Sequence, residues 1–525
     1  MRSSRIETGV DERVTAAARL LPDYLSQHVL LSAAALCAGL LISLPLVVAA
    51  ARNPKIRWPV LGFASVVQTV PSLALLALFY PLLLALSAAS KYVFGRGFSA
   101  LGFLPSLLAL TLYSMLPILR NGITGLTNLD PAIIEAARGV GMTDRQKLLR
   151  VELPLAAPVI MAGIRTAAVW VIGAATLSTP VGQTSLGNYI FSGLQVENWV
   201  AVLFGCAAAV LLAVITDQLL AVIEAGVSGR SGRRIWLGVG LLLAGVTCAA
   251  AVQLGSGGRS AYVIGAKNFS EQYILADLMT DRLRKAGLSA TTRVDLGSAV
   301  AFRALASNGI DVYIDYSGTV WANVLGRKDS LPRAQMLGEM TAQLHEQGVL
   351  LLGALGFENA YALAMRKDRA EALGIRTIAD LAQHAPDLKL GADFEFLARP
   401  EWRALAERYS LHFRQQRQFQ PTFMYRALST GEVDVISAFS SDGRIAADHL
   451  VVLEDPLQVI PPYDAIVLIS PARAGDAALR RALEPLIGSI PIELMREANY
   501  KVDRDTDKVS PGNAAQWLAH AAHIQ

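Results

Sequence analysis

Seven short stretches in the second half of this 525-residue chain gather polar side chains, and six of them set an aromatic ring beside amides, hydroxyls or carboxylates. They are "AKNFSEQ" (266–272), "DLGSAVA" (295–301), "IDYSGT" (314–319), "GFENAY" (356–361), "ADFEF" (392–396), "TFMYRA" (422–427) and "FSSDG" (439–443). An aromatic face attracts a cation whose charge cannot be hydrogen-bonded, such as a trimethylammonium group. Taken singly, each ring fits a packed core equally well. Seven such clusters at seven strand–helix junctions favour a pocket. By position, Tyr316, Phe357, Tyr361, Phe396 and Tyr463 are cage candidates. Asn268, Ser298, Thr319, Asn359, Ser441 and Asp442 could hold a carboxylate or order a hinge, and Glu395 would suit an imidazole-type N–H.

No bond-making machinery accompanies these clusters. A phosphate-binding loop ends in Gly-Lys-Ser/Thr, and here no lysine follows a glycine. Neither H-E-x-x-H nor G-x-S-x-G occurs, and only His520 and His523 lie close together among the seven histidines. The three cysteines, Cys37, Cys206 and Cys248, sit in apolar runs, so the second half has no disulfide framework or zinc spacing. The reading is a binding protein without catalytic residues, metal or cofactor of its own.

The elements that must carry the clusters are short strands alternating with helical stretches: "AYVIGA", "ATTRVDL", "IDVYIDYS", "YALAMR", "LKLGAD", "VDVISAFS" and "AIVLIS". That alternation predicts an α/β fold with largely parallel sheets. Residues 259–525 are long enough for two lobes, about 260–355 with 462–525, and about 357–460. The chain is expected to cross near Gly356–Tyr361 and return near Pro461–Tyr463, around a hinged cleft.

Everything before residue 259 has another character. Hydrophobic residues make up 53% of the chain, and the mean hydropathy is +0.40. The long uncharged runs all lie in the first half, with spans expected at 29–51, 58–87, 98–119, 155–177, 199–223 and 235–254. Residues 1–28 are a polar N-terminal segment with no cleavable signal, and 226–258 hold a linker and the last span. Lys and Arg exceed Asp and Glu by 7 before residue 259 and fall short by 3 after it. A slightly acidic second half argues against a nucleic-acid partner. The positive loops around Arg52, Lys55 and Arg57, around Arg138, Arg145, Lys147 and Arg150, and around Arg230, Arg233 and Arg234 are expected in the cytoplasm. That scheme needs 58–87 to act as one broken element at Pro71, and it puts the N-terminus and residues 259–525 outside. Arg165 and Asp217, inside spans, are expected to face the bundle interior or snorkel.

Asp130-Pro131 starts a helix, and Gly139 and Gly141 end or turn it before "DRQKLLRVE" resumes. On periodicity alone, 130–154 is an amphipathic cytoplasmic loop. Its spacing is more specific: Glu135-Ala136-Ala137, three residues, Gly141, nine residues, then Val151-Glu152-Leu153-Pro154. This resembles the coupling loop of bacterial ABC-importer permeases, which docks on the ATP-hydrolysing subunit. "QTVPSLALLALF", "AGIRTAAVWVIGAATL" and "SLGNYIFSGL" resemble the osmoprotectant branch of those permeases. "KNFSEQYILADLM", "DVYIDYSGT", "GFENAYALAMR" and "FSSDGRIAADHLVVLEDP" resemble that branch's substrate-binding domain, and the fusion resembles its ergothioneine importers. The resemblance implies an all-α polytopic permease domain (29–225) followed by a two-lobed domain like periplasmic binding proteins. It implies import of a quaternary-ammonium betaine such as ergothioneine, glycine betaine, choline or carnitine, across the bacterial inner membrane. Glu135, Ala136, Ala137, Gly141, Leu153 and Pro154 would couple to a separate ATPase that carries the ATP and Mg, and two copies of the chain would pair. A ligand-sensing receptor is the rival reading, and it lacks a cytoplasmic output domain in this chain.

Overall fold

A computed structural model describes residues 2–525 except 96–97, 99–101, 196–197, 257–261, 328, 330, 395, 505–506 and 525. The chain forms two compact units, a helical one of Val10–Ile190 and Val200–Gly258 and an α/β one built on Arg259–Gln525.

The helical unit contains, among the described residues, six helices long and apolar enough to cross a membrane: Ala17–Arg52, Ser72–Phe94, Phe103–Thr127, Asp144–Val181, Trp199–Ser228 and Gly232–Leu254. The first belongs to one helix, Arg2–Arg52, that runs through the polar N-terminal segment without a break. The stretch 58–87 is two helices, Pro54–Thr69 and Ser72–Phe94. Val70, the residue before Pro71, is extended (φ −73°, ψ 126°), as the proline ring requires of its predecessor. The carbonyl freed there accepts a hydrogen bond from the Tyr113 hydroxyl. In hydrocarbon a break of this kind survives only if its polar groups find protein partners.

Arg165 and Asp217 are bound to each other. The Arg165 guanidinium donates through Nε and Nη2 to the two Asp217 oxygens at 2.9 and 2.8 Å, and through Nη1 to Glu224 at 2.8 Å. Glu224 lies two helical turns beyond Asp217 and past the expected end of its span, so no local pattern marks it as a partner. The triad ties helix Leu153–Ala175 to helix Trp199–Ser228.

The α/β unit has two five-stranded sheets. The first contains β1 (Tyr262–Lys267), β2 (Ala290–Leu296), β3 (Val312–Tyr316), β4 (Leu350–Glu358) and β10 (Asp464–Ile469) in the order β2-β1-β3-β10-β4. The second contains β5 (Tyr361–Arg366), β6 (Lys389–Asp393), β7 (Gln415–Phe419), β8 (Val435–Phe439) and β9 (Leu450–Val452) in the order β7-β6-β8-β5-β9. The chain passes between the sheets after β4 and again after β9. The sheets are mixed rather than largely parallel. β10 runs antiparallel to β3 and β4, and β5 runs antiparallel to β8 and β9. Each of these two strands begins just after a crossover, so it enters its sheet from the end where the neighbours finish.

Replacing Arg165 by Leu would leave two carboxylates facing each other without a cation. At membrane depth a charge left without its counter-ion costs about 3 kcal/mol. The purified variant in detergent should melt several degrees below the parent, and exchanging the charges (Arg165→Asp with Asp217→Arg) should recover part of that loss. An unchanged melting curve for Arg165→Leu would show that the triad is not structural.

Candidate functional sites

Glu271 joins the two lobes. It is the second residue of helix Ser270–Lys285 and is 2% exposed. One carboxyl oxygen accepts from the Tyr316 hydroxyl at 2.5 Å and from Asn359 Nδ2 at 3.0 Å. The other accepts from Ser441 Oγ at 2.5 Å and from Asn499 Nδ2 at 2.9 Å. Tyr316 ends β3, Asn359 lies in the crossover from β4 to β5, Ser441 follows β8, and Asn499 sits on helix Ile492–Asp503. A single carboxyl therefore gathers donors from both sheets and from the hinge. Burial pushes its pKa above the usual carboxylate value, and the four hydrogen bonds, which favour the charged form, oppose that without cancelling it. At Gly443, two residues past Ser441, a Cβ would come within 2.2 Å of the Tyr500 backbone nitrogen, so the turn after β8 can sit against helix Ile492–Asp503 only without a side chain there.

A run of rings follows this junction. Tyr316 stacks on Phe269 (centroids 6.2 Å apart), and Phe269 lies nearly parallel to Phe439 at 6.0 Å. Phe439 meets Tyr361 at 4.8 Å, and Tyr361 meets Phe396 at 5.1 Å and the edge of Tyr463 at 5.8 Å. The Arg399 guanidinium lies 4.9 Å from the Tyr361 centroid and donates to the Tyr463 hydroxyl at 2.8 Å. Glu401 neutralises it at 3.0 Å and also accepts from the Tyr463 hydroxyl. Phe269 and Tyr316 come from the first sheet's side, and Phe439 and Phe396 from the second's.

Of the residues singled out in the sequence, Tyr316, Tyr361, Phe396 and Tyr463 thus fall in one aromatic network. Phe357 is buried in the core on β4. Asn359 and Ser441 each donate to Glu271. Asp442 pairs with Arg444 through both oxygens, at 3.0 and 2.7 Å. Thr319 is buried on the turn after β3, and Asn268 is exposed after β1. Ser298 opens helix Ser298–Ala306, but its side chain lies outside the described residues, as does Glu395. Glu271, Phe269, Phe439, Arg399 and Glu401 were not singled out. The first three lie inside stretches quoted for their aromatic and polar character. No sequence signal marks Arg399-Pro-Glu401, whose role depends on a tyrosine more than sixty residues away.

The second candidate site is the loop after the third apolar helix. Asp130 caps helix Pro131–Gly139, accepting from Ala132 N at 2.9 Å. Gly141 then turns the chain at φ +79°, a conformation that costs other residues about 1 kcal/mol or more. Thr143 and Gln146 form a reciprocal cap on Asp144–Lys147, and a π-helical turn, Leu148–Glu152, leads into helix Leu153–Ala175. Lys147, buried, binds Asp144 at 2.9 Å and approaches Glu152 at 3.8 Å, while Arg52 reaches Glu152 at 3.7 Å. The loop is therefore fastened to the end of the first helix. A cleft of about 550 Å³ lies beneath it, with Arg52, Ile134, Glu135, Arg138 and Glu152 among its walls. Ala137 turns inward, Leu153 is half-buried, and Glu135, Ala136, Gly141 and Pro154 are exposed. Ile133, Val140 and Leu149 add exposed apolar surface. The short helix thus presents small and apolar residues outward and is held by ion pairs behind.

Comparison with known proteins covers both units. Residues 260–520 match the family described as the substrate binding domain of ABC-type glycine betaine transport systems. Residues 41–229 match the binding-protein-dependent transport system inner membrane component. The ergothioneine transport permease/ergothioneine binding protein of Helicobacter pylori is 29% identical over 471 residues, covering 86% of this chain and 81% of that protein. The glycine betaine/carnitine/choline transport system permease protein of Bacillus subtilis is 40% identical over 198 residues, covering 38% of this chain and 84% of that protein. A crystal structure of a glycine betaine/carnitine/choline ABC transporter is 26% identical and covers 50% of this chain and 98% of that one, with a TM-score of 0.44.

Glu271→Ala should strand four buried donors and lower stability by about 3 kcal/mol, read as an earlier melting step of the α/β unit. A buried carboxyl with a raised pKa stabilises most below its ordinary value of 4.5, and that contribution is lost as pH rises through the raised value. The wild-type midpoint should therefore fall with rising pH above 4.5 more steeply than that of Glu271→Gln. Parallel pH profiles would show that Glu271 does not titrate differently in the folded domain. Gly141→Asp should leave ligand binding intact and abolish uptake in vesicles, and normal uptake would refute the docking role of the loop.

Proposed function

The chain belongs to the binding-protein-dependent ABC permeases of the osmoprotectant branch and carries their glycine betaine-type binding domain fused behind its last span; from this premise we propose that it imports a quaternary-ammonium betaine. It is a multi-pass protein of the inner membrane and a transporter subunit. In the proposed cycle the fused domain closes on the ligand outside the cell, and its lobes turn about the Glu271 junction. The helical unit supplies the path. ATP, with Mg, is bound and hydrolysed on a separate subunit that docks on residues 130–154, and two copies of this chain assemble with two such subunits. The chain itself uses no cofactor.

The observation that carries the ligand class is the aromatic network centred on Tyr361, built from both lobes beside a carboxyl junction. An aromatic face attracts a cation that has no hydrogen to donate, by about 0.5–2 kcal/mol per ring, and the Arg399 guanidinium over Tyr361 is one cation already held against this network. Glycine betaine, choline, carnitine and ergothioneine share that cation. The relatives named for ergothioneine and for glycine betaine, carnitine and choline support the class, and the relative that spans both units favours ergothioneine within it.

Titration calorimetry of the full chain in nanodiscs with ergothioneine, glycine betaine and choline tests the proposal. Saturable binding of at least one is expected, and Tyr361→Ala should weaken it about tenfold, the loss of one ring from a cation site. Absence of binding to all three would sink the betaine reading.

A further inference from the structure

Most large apolar side chains of the α/β unit are buried or half-buried. Among its described residues, Phe394, Phe423 and Leu457 are the exposed ones, at 58%, 48% and 52%. The two phenylalanines belong together. Phe394 directly follows β6, and Phe423 lies in the first turn of helix Pro421–Ser429, which directly follows β7. β6 and β7 are adjacent and parallel, with Asp393 paired to Phe419, so both rings rise from the same carboxyl edge of the second sheet. A buried polar unit fixes their backbones. The Asp393 backbone N–H donates to Ser437 Oγ at 3.1 Å, and that hydroxyl lies 3.2 Å from Asp393 Oδ2 and 3.4 Å from Met424 Sδ. Phe394 follows Asp393 and Phe423 precedes Met424, so the two rings flank one rigid point. Phe396, two residues beyond Phe394, has its ring 5.1 Å from Tyr361.

In open α/β folds ligands collect at the carboxyl ends of the strands. A phenylalanine left in water there forgoes the gain of burial unless something covers it. We propose that Phe394 and Phe423 form a ring clamp that selects, within the betaines, a ligand carrying a planar heteroaromatic ring. This rests on the betaine reading above and narrows it. The trimethylammonium of such a ligand meets the aromatic network, and its ring reaches the clamp. An aliphatic betaine has no atoms to place there, so the clamp discriminates without touching the part the two ligands share. Stacking of this kind contributes about 1–3 kcal/mol per ring, roughly a tenfold to hundredfold preference.

The test is calorimetry of the full chain in nanodiscs with ergothioneine, histidine betaine (the same skeleton without sulfur) and glycine betaine. Both ring-bearing ligands should bind the parent more tightly than glycine betaine does. Phe394→Ala with Phe423→Ala should weaken them by roughly thirtyfold while changing glycine betaine by less than about twofold, and Phe394→Tyr should retain most of the affinity. Both sites are exposed, so the double variant's melting midpoint should match the parent's. Equal weakening of all three ligands, or unchanged ergothioneine binding, would overturn the clamp. Unchanged binding with lost uptake would overturn it as well, assigning the rings to contact with another protein surface. If the parent binds only glycine betaine, the clamp falls and the betaine reading stands; if it binds none of the three, both fall.

Discussion

A carboxyl group buried without a cation must be met by donors, or it costs several kcal/mol. Glu271 is met by four, and they come from four different elements. That requirement fixes much of the α/β unit. It brings the end of β3, the outgoing crossover, the turn after β8 and helix Ile492–Asp503 to one point. It also sets where the aromatic network begins, because Tyr316 serves both, donating to Glu271 and stacking on Phe269. A two-lobed domain needs a joint that is definite in position and still able to turn. A carboxyl with short donors from both sides provides this better than an apolar seam would, since hydrogen bonds have a preferred direction and close packing does not.

The helical unit meets a comparable requirement differently. Arg165 sits well inside a span and is held by two carboxylates of one neighbouring helix. At the other end of the same helix, Lys147 and Arg52 bind Asp144 and Glu152 and fasten the loop 130–154 to the first helix. The span between these two ion-pair groups is the stretch through which any movement of the loop must pass into the membrane.

Much of this was legible in the sequence. The six apolar runs announced the helical unit, because a span has to be long and uncharged. The alternation of short strands and helices announced the α/β unit, and the spacing Glu135…Gly141…Pro154 announced the loop. The rings at strand ends could be quoted as clusters, yet the sequence could not say which faced a cleft and which filled a core: Phe357 is core, whereas Phe439 joins the network. Glu271 was overlooked because nothing local distinguishes it from any acidic residue in the first turn of a helix. Its partners lie 45, 88, 170 and 228 residues away. Glu224 was missed for a similar reason, since its partner is on another helix. Strand direction was misjudged because the alternation of elements is the same whether a strand enters its sheet from one end or the other.

The π-helical turn at Leu148–Glu152 separates the length of the loop from the aim of the span. A π turn takes up one residue more than the α-helical turn it replaces, so the helix beyond it keeps its direction whether or not that residue is present. After Leu153 there is no such slack, because each residue of an α-helix advances the side chains by about 100°. One residue gained or lost between Leu153 and Arg165 would swing the guanidinium away from Asp217 and Glu224. Length is therefore negotiable on the loop's side of the turn and fixed on the membrane's side.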